Sequence, residues 1–230
     1  MNGKRSLSGP VDGIPMESLH VRPRSAGDPE PDLLGMALSH RALRGETRKL
    51  AELTARQGDG SLPPRREAAL RRYLKILMAE VHSHHVKEDD VLWPVIAASA
   101  GAAVDLMPLT EEHGEIDPYV ERILASSGRE RARLLAELAD LLDEHITEEE
   151  RVLFPVMRRY VSAEDFAACE KQFQKGASLG HMRFILPLFL AYATADEVAR
   201  MKKSAPPPLL IMLKLFQPGY RKLMRDVYGS

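Results

Sequence analysis

One stretch of the sequence occurs twice, and this repeat constrains the fold more than any other feature. Residues 84–94 read HHVKEDDVLWP, and residues 145–155 read HITEEERVLFP. In each copy a histidine precedes a glutamate by four residues. The two pairs are His84 with Glu88 and His145 with Glu149. Residues at this spacing lie one turn apart on one face of an α-helix, so the repeat predicts two helices that each present a His/carboxylate pair.

The residues around each pair indicate which way these faces point. Apolar residues flank His84 and Glu88 at alternating steps of four and three, a spacing typical of the core stripe of a helix in a bundle. The same spacing surrounds the second pair. A carboxylate that faces a core is costly unless it is paired or binds a cation. The stripe predicts that His84 points inward, whereas its neighbours His82 and His85 do not.

Two further histidines lie on apolar stripes of predicted helices. The predicted helices cover about residues 32–57, 65–98, 104–126 and 129–160. His40 lies on the stripe of the first helix and His113 on that of the third. Since the connections are short, neighbouring helices should be antiparallel. The sequence therefore predicts an all-α fold, an up-down-up-down antiparallel four-helix bundle with one inward histidine on each helix.

The predicted bundle occupies only the middle of the chain. Residues 1–31 are rich in Gly, Pro and Ser without periodicity, which predicts a disordered N-terminal tail. The bundle covers residues 32–161, and a C-terminal helical extension follows over residues 162–230. We interpret this extension as a helical cap on the bundle. Its apolar and basic residues leave two alternatives for the segment 180–228, a homodimer surface or a contact with an anionic membrane surface.

Composition and charge argue against several functions. The net charge is −1, with 32 basic and 33 acidic residues spread along the chain, which does not favour binding to nucleic acid. The longest apolar runs, residues 184–193 and 209–216, are too short to span a bilayer. Cys169 is the single cysteine, so an internal disulfide is impossible and a reducing compartment is expected. These features predict a cytoplasmic location.

The inward histidines and the two repeated glutamates form a candidate metal centre. Its six predicted ligands are His40, His84, Glu88, His113, His145 and Glu149. Imidazole accepts iron, zinc or copper, while carboxylates shift the preference toward iron or manganese. Two metals would also compensate the charge of two buried glutamates, each of which is able to bridge them. Trp93 and Phe154, five residues past each glutamate, are expected to pack beside the site.

The order of these residues resembles the hemerythrin-like family, also called the HHE cation-binding domain. His, His-x-x-x-Glu, His and His-x-x-x-Glu follow one another over about residues 32–160, and Leu-Trp-Pro and Leu-Phe-Pro after the pairs also match. Similar C-terminal extensions occur in some bacterial members. The resemblance implies two iron ions with an oxo or hydroxo bridge, with manganese or zinc less expected. The implied ligands are His40 and His84 for one iron, His113 and His145 for the other, and Glu88 and Glu149 as bridges.

The sequence departs from the oxygen carriers of this family on the third helix. Oxygen carriers have two histidines one turn apart there, whereas the positions one turn from His113 hold Leu109 and Asp117. Asp117 is either a replacement ligand or, as we prefer, a solvated residue before Pro118. His181 is either a ligand from the extension or, as we prefer, a structural residue. The missing histidine argues against reversible oxygen carriage, because fewer protein ligands leave more open positions on the metal.

Three functions are compatible with such a centre. The first is a di-iron protein that binds a small diatomic ligand, oxygen or nitric oxide, or peroxide. The second is a di-iron oxidoreductase that decomposes peroxide or nitric oxide. The third is a module that holds iron or responds to it without turnover. The sequence has no flavin motif and no redox-active cysteine pair that would separate them. We favour ligand binding over the enzyme.

Overall fold

The computed structural model describes residues 21–58, 60, 62–175 and 178–229. All regular structure within these residues is helical, which confirms the predicted all-α class. The helices are α1 (Leu34–Gln57), α2 (Pro64–Lys87), α3 (Trp93–Ala100), α4 (Met107–Ala125), α5 (Gly128–Tyr160), α6 (Ala163–Gln174), α7 (Leu179–Ala191), α8 (Ala195–Ser204) and α9 (Pro207–Tyr228). None of these helices, as far as the chain is described, is long and apolar enough to cross a membrane.

The second predicted helix is interrupted by a π-helical turn at Glu88–Leu92, which joins α2 to α3. Pro94 explains the interruption, because it has no N–H for the carbonyl of Asp90 and its ring would clash with that carbonyl in a regular helix. In the wider turn the N–H of Trp93 donates to the carbonyl of Glu88. Such turns are frequent at functional sites. Here the turn begins at one of the predicted ligands.

One large apolar cluster joins the bundle to the C-terminal extension. Helices α1, α2, α4 and α5 contribute Leu43, Leu77, Ile116 and Leu138, among others. Helices α7 and α9 add Phe184, Leu188, Leu223 and Val227. In the bundle α1 packs against α5, α5 against α4 and α4 against α2, while α7 packs on α1 and α9 on α2. Since burial of one large aliphatic side chain contributes about 2 kcal/mol, this shared core holds the extension firmly on the bundle.

A layer of polar side chains separates this cluster from a smaller one around α3. On α4, Leu109 belongs to the smaller cluster, Ile116 belongs to the larger, and His113 lies between them. On α5, Ile146 and Leu153 enclose the second repeated glutamate in the same way. The predicted ligands therefore interrupt the core at one level of the bundle.

Part of the predicted N-terminal tail makes specific contacts with the folded chain. Residues 1–20 of that tail lie outside the described residues. The backbone N–H of Arg24 donates to the carbonyl of Tyr160 at 2.8 Å. The backbone N–H of Arg22 donates to the carboxylate of Asp165 at 3.2 Å. The segment just before α1 is thus held against the end of α5 and the start of α6.

Candidate metal centre

All six ligands predicted from the sequence are buried in the polar layer, and they fall into two groups. The first group is His40, His84, Glu88 and Glu149. The second group is His113, His145 and a seventh residue, His85. In each group the potential ligand atoms lie within 4.8 Å of one another. Helices α1, α2, α4 and α5 and the π-helical turn supply these side chains, so the local spacing of each helix and the packing of the bundle together create the site.

His85 was expected to point away from the core, and this expectation is wrong. Its side chain is buried, and its ring stacks on that of His113 with centroids 4.2 Å apart. A bundle helix buries not only the two core positions of each heptad but also a flanking position. Because α2 packs against α4, the residue after His84 falls on that flank. His82 remains exposed, as expected.

Asp117 and His181, for which a ligand role was the less favoured alternative, belong to neither ligand group and contact other side chains. Asp117 accepts hydrogen bonds from Nδ1 of His85 at 3.1 Å and from Nδ1 of His82 at 2.9 Å. Burial opposes its ionisation, but these bonds outweigh burial and lower the pKa of Asp117. It is therefore a partner of a buried histidine and not simply solvated. His181 forms a hydrogen bond with Glu80 and belongs to neither ligand group.

Carboxylates hold the Nδ1 atoms of four of the clustered histidines. The pairs are His40 with Glu150 at 2.9 Å, His85 with Asp117 at 3.1 Å, His113 with Asp89 at 3.1 Å and His145 with Glu112 at 2.6 Å. A carboxylate accepts from Nδ1–H, which leaves Nε2 with a lone pair. Histidines that bind metals are usually oriented in this way by their other nitrogen.

The inner atoms of the cluster lack hydrogen-bond partners. Within the described residues these atoms are Nε2 of His40, His84 and His85 and both carboxylate oxygens of Glu88 and Glu149. Nε2 of His84 is only 3.1 Å from an oxygen of Glu88, but the two atoms lack hydrogen-bond geometry. Buried polar atoms are rarely left unpaired, since the cost is about 1–3 kcal/mol each.

The facing imidazoles of His113 and His145 also indicate that a cation belongs in this cluster. Their Nε2 atoms are 3.2 Å apart, although a carboxylate holds Nδ1 of each ring. Two lone pairs at this distance repel each other unless a cation lies between them. Two nitrogens bound at about 2.1 Å to one metal, at a right angle, would be separated by about 3 Å. The residues therefore fit a metal centre.

The buried charges of this layer shift its pKa values in a consistent way. Burial opposes a charge on His40, but the neighbouring carboxylates, Glu149 foremost, raise the pKa of His40 to about 10. Burial and the charge of Glu149 raise the pKa of Glu88 well above its usual range. Burial and the charge of His85 lower the pKa of His113 to about 4. The carboxylate side of the cluster thus attracts positive charge, and on the imidazole side His113 favours its neutral form, the form that binds a metal.

The comparison with known families agrees with this geometry. The family model of the hemerythrin HHE cation binding domain matches residues 35–157, more than half of the chain. The chain belongs to the hemerythrin HHE cation-binding family. No curated protein and no solved structure matches the chain. The resemblance inferred from the sequence is confirmed, and both ligand groups lie within the matched residues.

The two glutamates of this hemerythrin-like protein lie between the imidazoles of the first group and those of the second. One oxygen of Glu88 is 3.1 Å from Nε2 of His84, and the other is 3.6 Å from Nε2 of His113. One oxygen of Glu149 is 3.5 Å from Nε2 of His40 and 3.7 Å from Nε2 of His145. Each carboxylate therefore reaches imidazoles of both groups.

Two aromatic rings border the centre, as the sequence predicted. Phe154 stacks on His40 with ring centroids 6.1 Å apart, and Trp93 stacks on His113 at 5.9 Å. Trp93 also donates to Thr110, which donates to Asp89. These contacts fix the outer faces of the imidazoles in this hemerythrin-like site.

Proposed function

We propose that this protein is a non-haem di-iron protein that binds a small ligand, oxygen, nitric oxide or peroxide, at the His/Glu centre. One observation carries the proposal: Glu88 and Glu149 each lie between the two groups of imidazoles. A carboxylate in this place can bind a metal of either group, which favours two metals over one. The mixture of imidazole and carboxylate donors favours iron over the softer metals.

The unequal number of imidazoles suggests where a small ligand would bind. The first group contains two histidines, His40 and His84, and the second group contains three. If both glutamates contribute to both metals, the metal held by the first group has one protein donor fewer. A metal with fewer protein donors has more positions open to a small ligand. We therefore assign ligand binding to the side of His40 and His84.

The presence of His85 weakens the alternative of an enzyme. That alternative depended on a histidine missing from the third helix, near His113. His85 brings a third imidazole to the same group from α2 instead. If a second metal is bound there, His85 would fill the extra open position that was expected on it. Of the three functions, reversible binding of a small ligand agrees best with this donor set.

Titration of nitric oxide into the reduced, iron-loaded protein tests the proposal. The expected result is a change in the visible absorption that saturates at about one nitric oxide for each pair of irons. His82→Ala is a matched control and should titrate like the wild type, because His82 lies outside both ligand groups. A protein that keeps its iron but gives no spectral change with oxygen, nitric oxide or peroxide would instead be an iron-holding module.

A further inference from the structure

The first half of α9 leaves two aliphatic side chains of an apolar run exposed. Residues 209–216 read LLIMLKLF, yet the buried residues of α9 all lie in its second half. Ile211 is 59 % exposed and Leu215 is 67 % exposed. Aliphatic side chains in contact with water are unfavourable, and a cluster of them on a surface marks an interaction site.

A third exposed side chain extends this surface onto α7. Leu179 is 68 % exposed and lines one cleft together with Leu215, Phe216 and Arg183. We call Leu179, Ile211 and Leu215 the α7–α9 patch. The patch belongs to the C-terminal extension and contains no residue of the two ligand groups.

Basic side chains surround the α7–α9 patch. Exposed residues recur along the outward face of α9 at steps of three and four. They are Ile211, Lys214, Leu215, Pro218, Lys222 and Arg225. Residues 179–229 contain eight Lys and Arg against three Asp and Glu, although the whole chain has a net charge of −1. Two of these three acidic residues are paired, Asp226 with Lys222 and Arg65, and Glu197 with Arg41.

The aliphatic and basic groups together indicate which kind of partner this surface binds. A symmetric contact between two copies would bring Lys214 and Arg183 of both copies close together, and like charges repel. Anionic phospholipid satisfies both parts of the surface. Its acyl region accepts the aliphatic side chains, and its phosphates attract the lysines and arginines.

We propose that the α7–α9 patch docks this protein on a membrane surface that contains anionic phospholipid. Ile211 and Leu215 insert into the interface at the level of the headgroups. Lys214 and Arg225, on the same face of α9, lie against the phosphates. The contact is peripheral and depends on both the apolar and the basic residues.

Co-sedimentation of the full-length, metal-loaded protein with vesicles tests this proposal. Vesicles of phosphatidylcholine alone should leave the protein in solution, and vesicles that also contain phosphatidylserine should bind it. Ile211→Ser, Leu215→Ser and Lys214→Glu should each weaken binding by about tenfold, and added salt should weaken it further. Met107→Ser is the matched control, because Met107 on α4 is 61 % exposed and lies outside the patch.

The metal content and elution volume of each variant show whether it is still folded. Binding to neutral and anionic vesicles alike, or to neither, would overturn the proposal. So would a dimer of the wild type that Leu215→Ser converts to a monomer, because the patch would then be covered by a second copy.

Discussion

Two of the places in this protein that contain buried carboxylates have opposite surroundings. Glu46 on α1 is only 2 % exposed and is fully provided with hydrogen-bond donors. The hydroxyls of Tyr73, Tyr192 and Tyr228 donate to it at 2.7–2.8 Å. Lys49 adds a contact at 3.1 Å. Glu88 and Glu149 are equally buried, but their oxygens have no donor within the described residues.

The difference shows what each site needs to remain folded. Around Glu46 the protein itself supplies the groups that replace water. Around Glu88 and Glu149 it supplies imidazoles. The raised pKa of His40 allows that ring to carry a positive charge beside the carboxylates, whereas the lone pairs of the other imidazoles compensate a carboxylate only through a shared cation. Hydrogen bonds therefore offset the cost of desolvating the carboxylate of Glu46. At Glu88 and Glu149 a bound metal would offset the same cost.

The Glu46 site also explains how the extension is attached. Tyr192 follows α7 and Tyr228 ends α9, so two of the three hydroxyls come from the C-terminal extension. A side chain at Gly45 would collide with the ring of Tyr192, so only glycine permits this close approach. Burial and the charge of Glu46 raise the pKa of Tyr73 well above its usual range, which keeps its hydroxyl protonated as a donor.

Removal of metal should separate the two sites most clearly. A metal that binds only the folded chain stabilises it by about 4 kcal/mol at a concentration near 1,000 times Kd, so chelation should lower the melting temperature by roughly 10 °C. The Glu46→Gln variant should lose the same amount on chelation, because its site needs no metal. Thermal unfolding followed by circular dichroism measures both. An unchanged melting temperature after chelation would argue against a metal in the core.

Neutralising one carboxylate at each site should have opposite effects on the metal-free protein. Glu46→Gln removes the charge that accepts three hydroxyl hydrogen bonds and should destabilise by about 2 kcal/mol, with or without metal. Glu149→Gln removes a buried charge that in the metal-free protein has only His40 to compensate it and no hydrogen-bond donor, so the chelated variant should melt higher than the chelated wild type. Denaturant unfolding of the metal-free variants measures these changes. If both substitutions destabilise the metal-free protein equally, the protein compensates the buried charge at both sites without a metal.

Substitutions at His85 and at nearby His82 test whether the second ligand group has a third imidazole. His85→Ala should lower the iron content, since it removes a ligand, and His82→Ala should keep it. Asp117→Asn should weaken metal binding by about 10- to 100-fold, because it loosens the orientation of His85. Competition with a coloured chelator measures the affinities. Retention of full affinity by His85→Ala would restrict the ligands to the six residues inferred from the sequence.

The smallest effect is expected for the loss of one hydroxyl at the Glu46 site. Tyr192→Phe removes one of three donors to Glu46 and should destabilise by about 1 kcal/mol, leaving the iron content unchanged. Urea unfolding and elemental analysis of the same sample provide the two values. A loss of iron from this variant would show that the two carboxylate sites are coupled.

The helices and the inward histidines could be predicted because both depend on spacing within one helix. The stripe through Leu77, His84 and Glu88 repeats with the helical period, and a repeat can be read from one sequence. The π-helical turn at Glu88–Leu92 was not predicted, because Pro94 shows that the regular helix is disturbed but not which backbone form replaces it.

The parts that were missed depend on contacts between helices. Whether His85 is inside or outside is decided by which neighbour lies against α2. Glu112 looks like an ordinary surface acid until α4 is placed beside His145. The hydroxyl of Tyr228 reaches Glu46 from 182 residues away in the sequence. The spacing of residues within one helix does not show which side chains of other helices lie close to it.

We expect two metals, and not one or none, to occupy the layer between the apolar clusters. Anaerobic titration of ferrous iron into the metal-free protein, with bound iron determined after desalting, tests it most directly. The two ligand groups predict saturation at about two irons per chain, and His84→Ala should bind fewer. Saturation at one iron, or tight binding of a single zinc in preference to iron, would contradict the account.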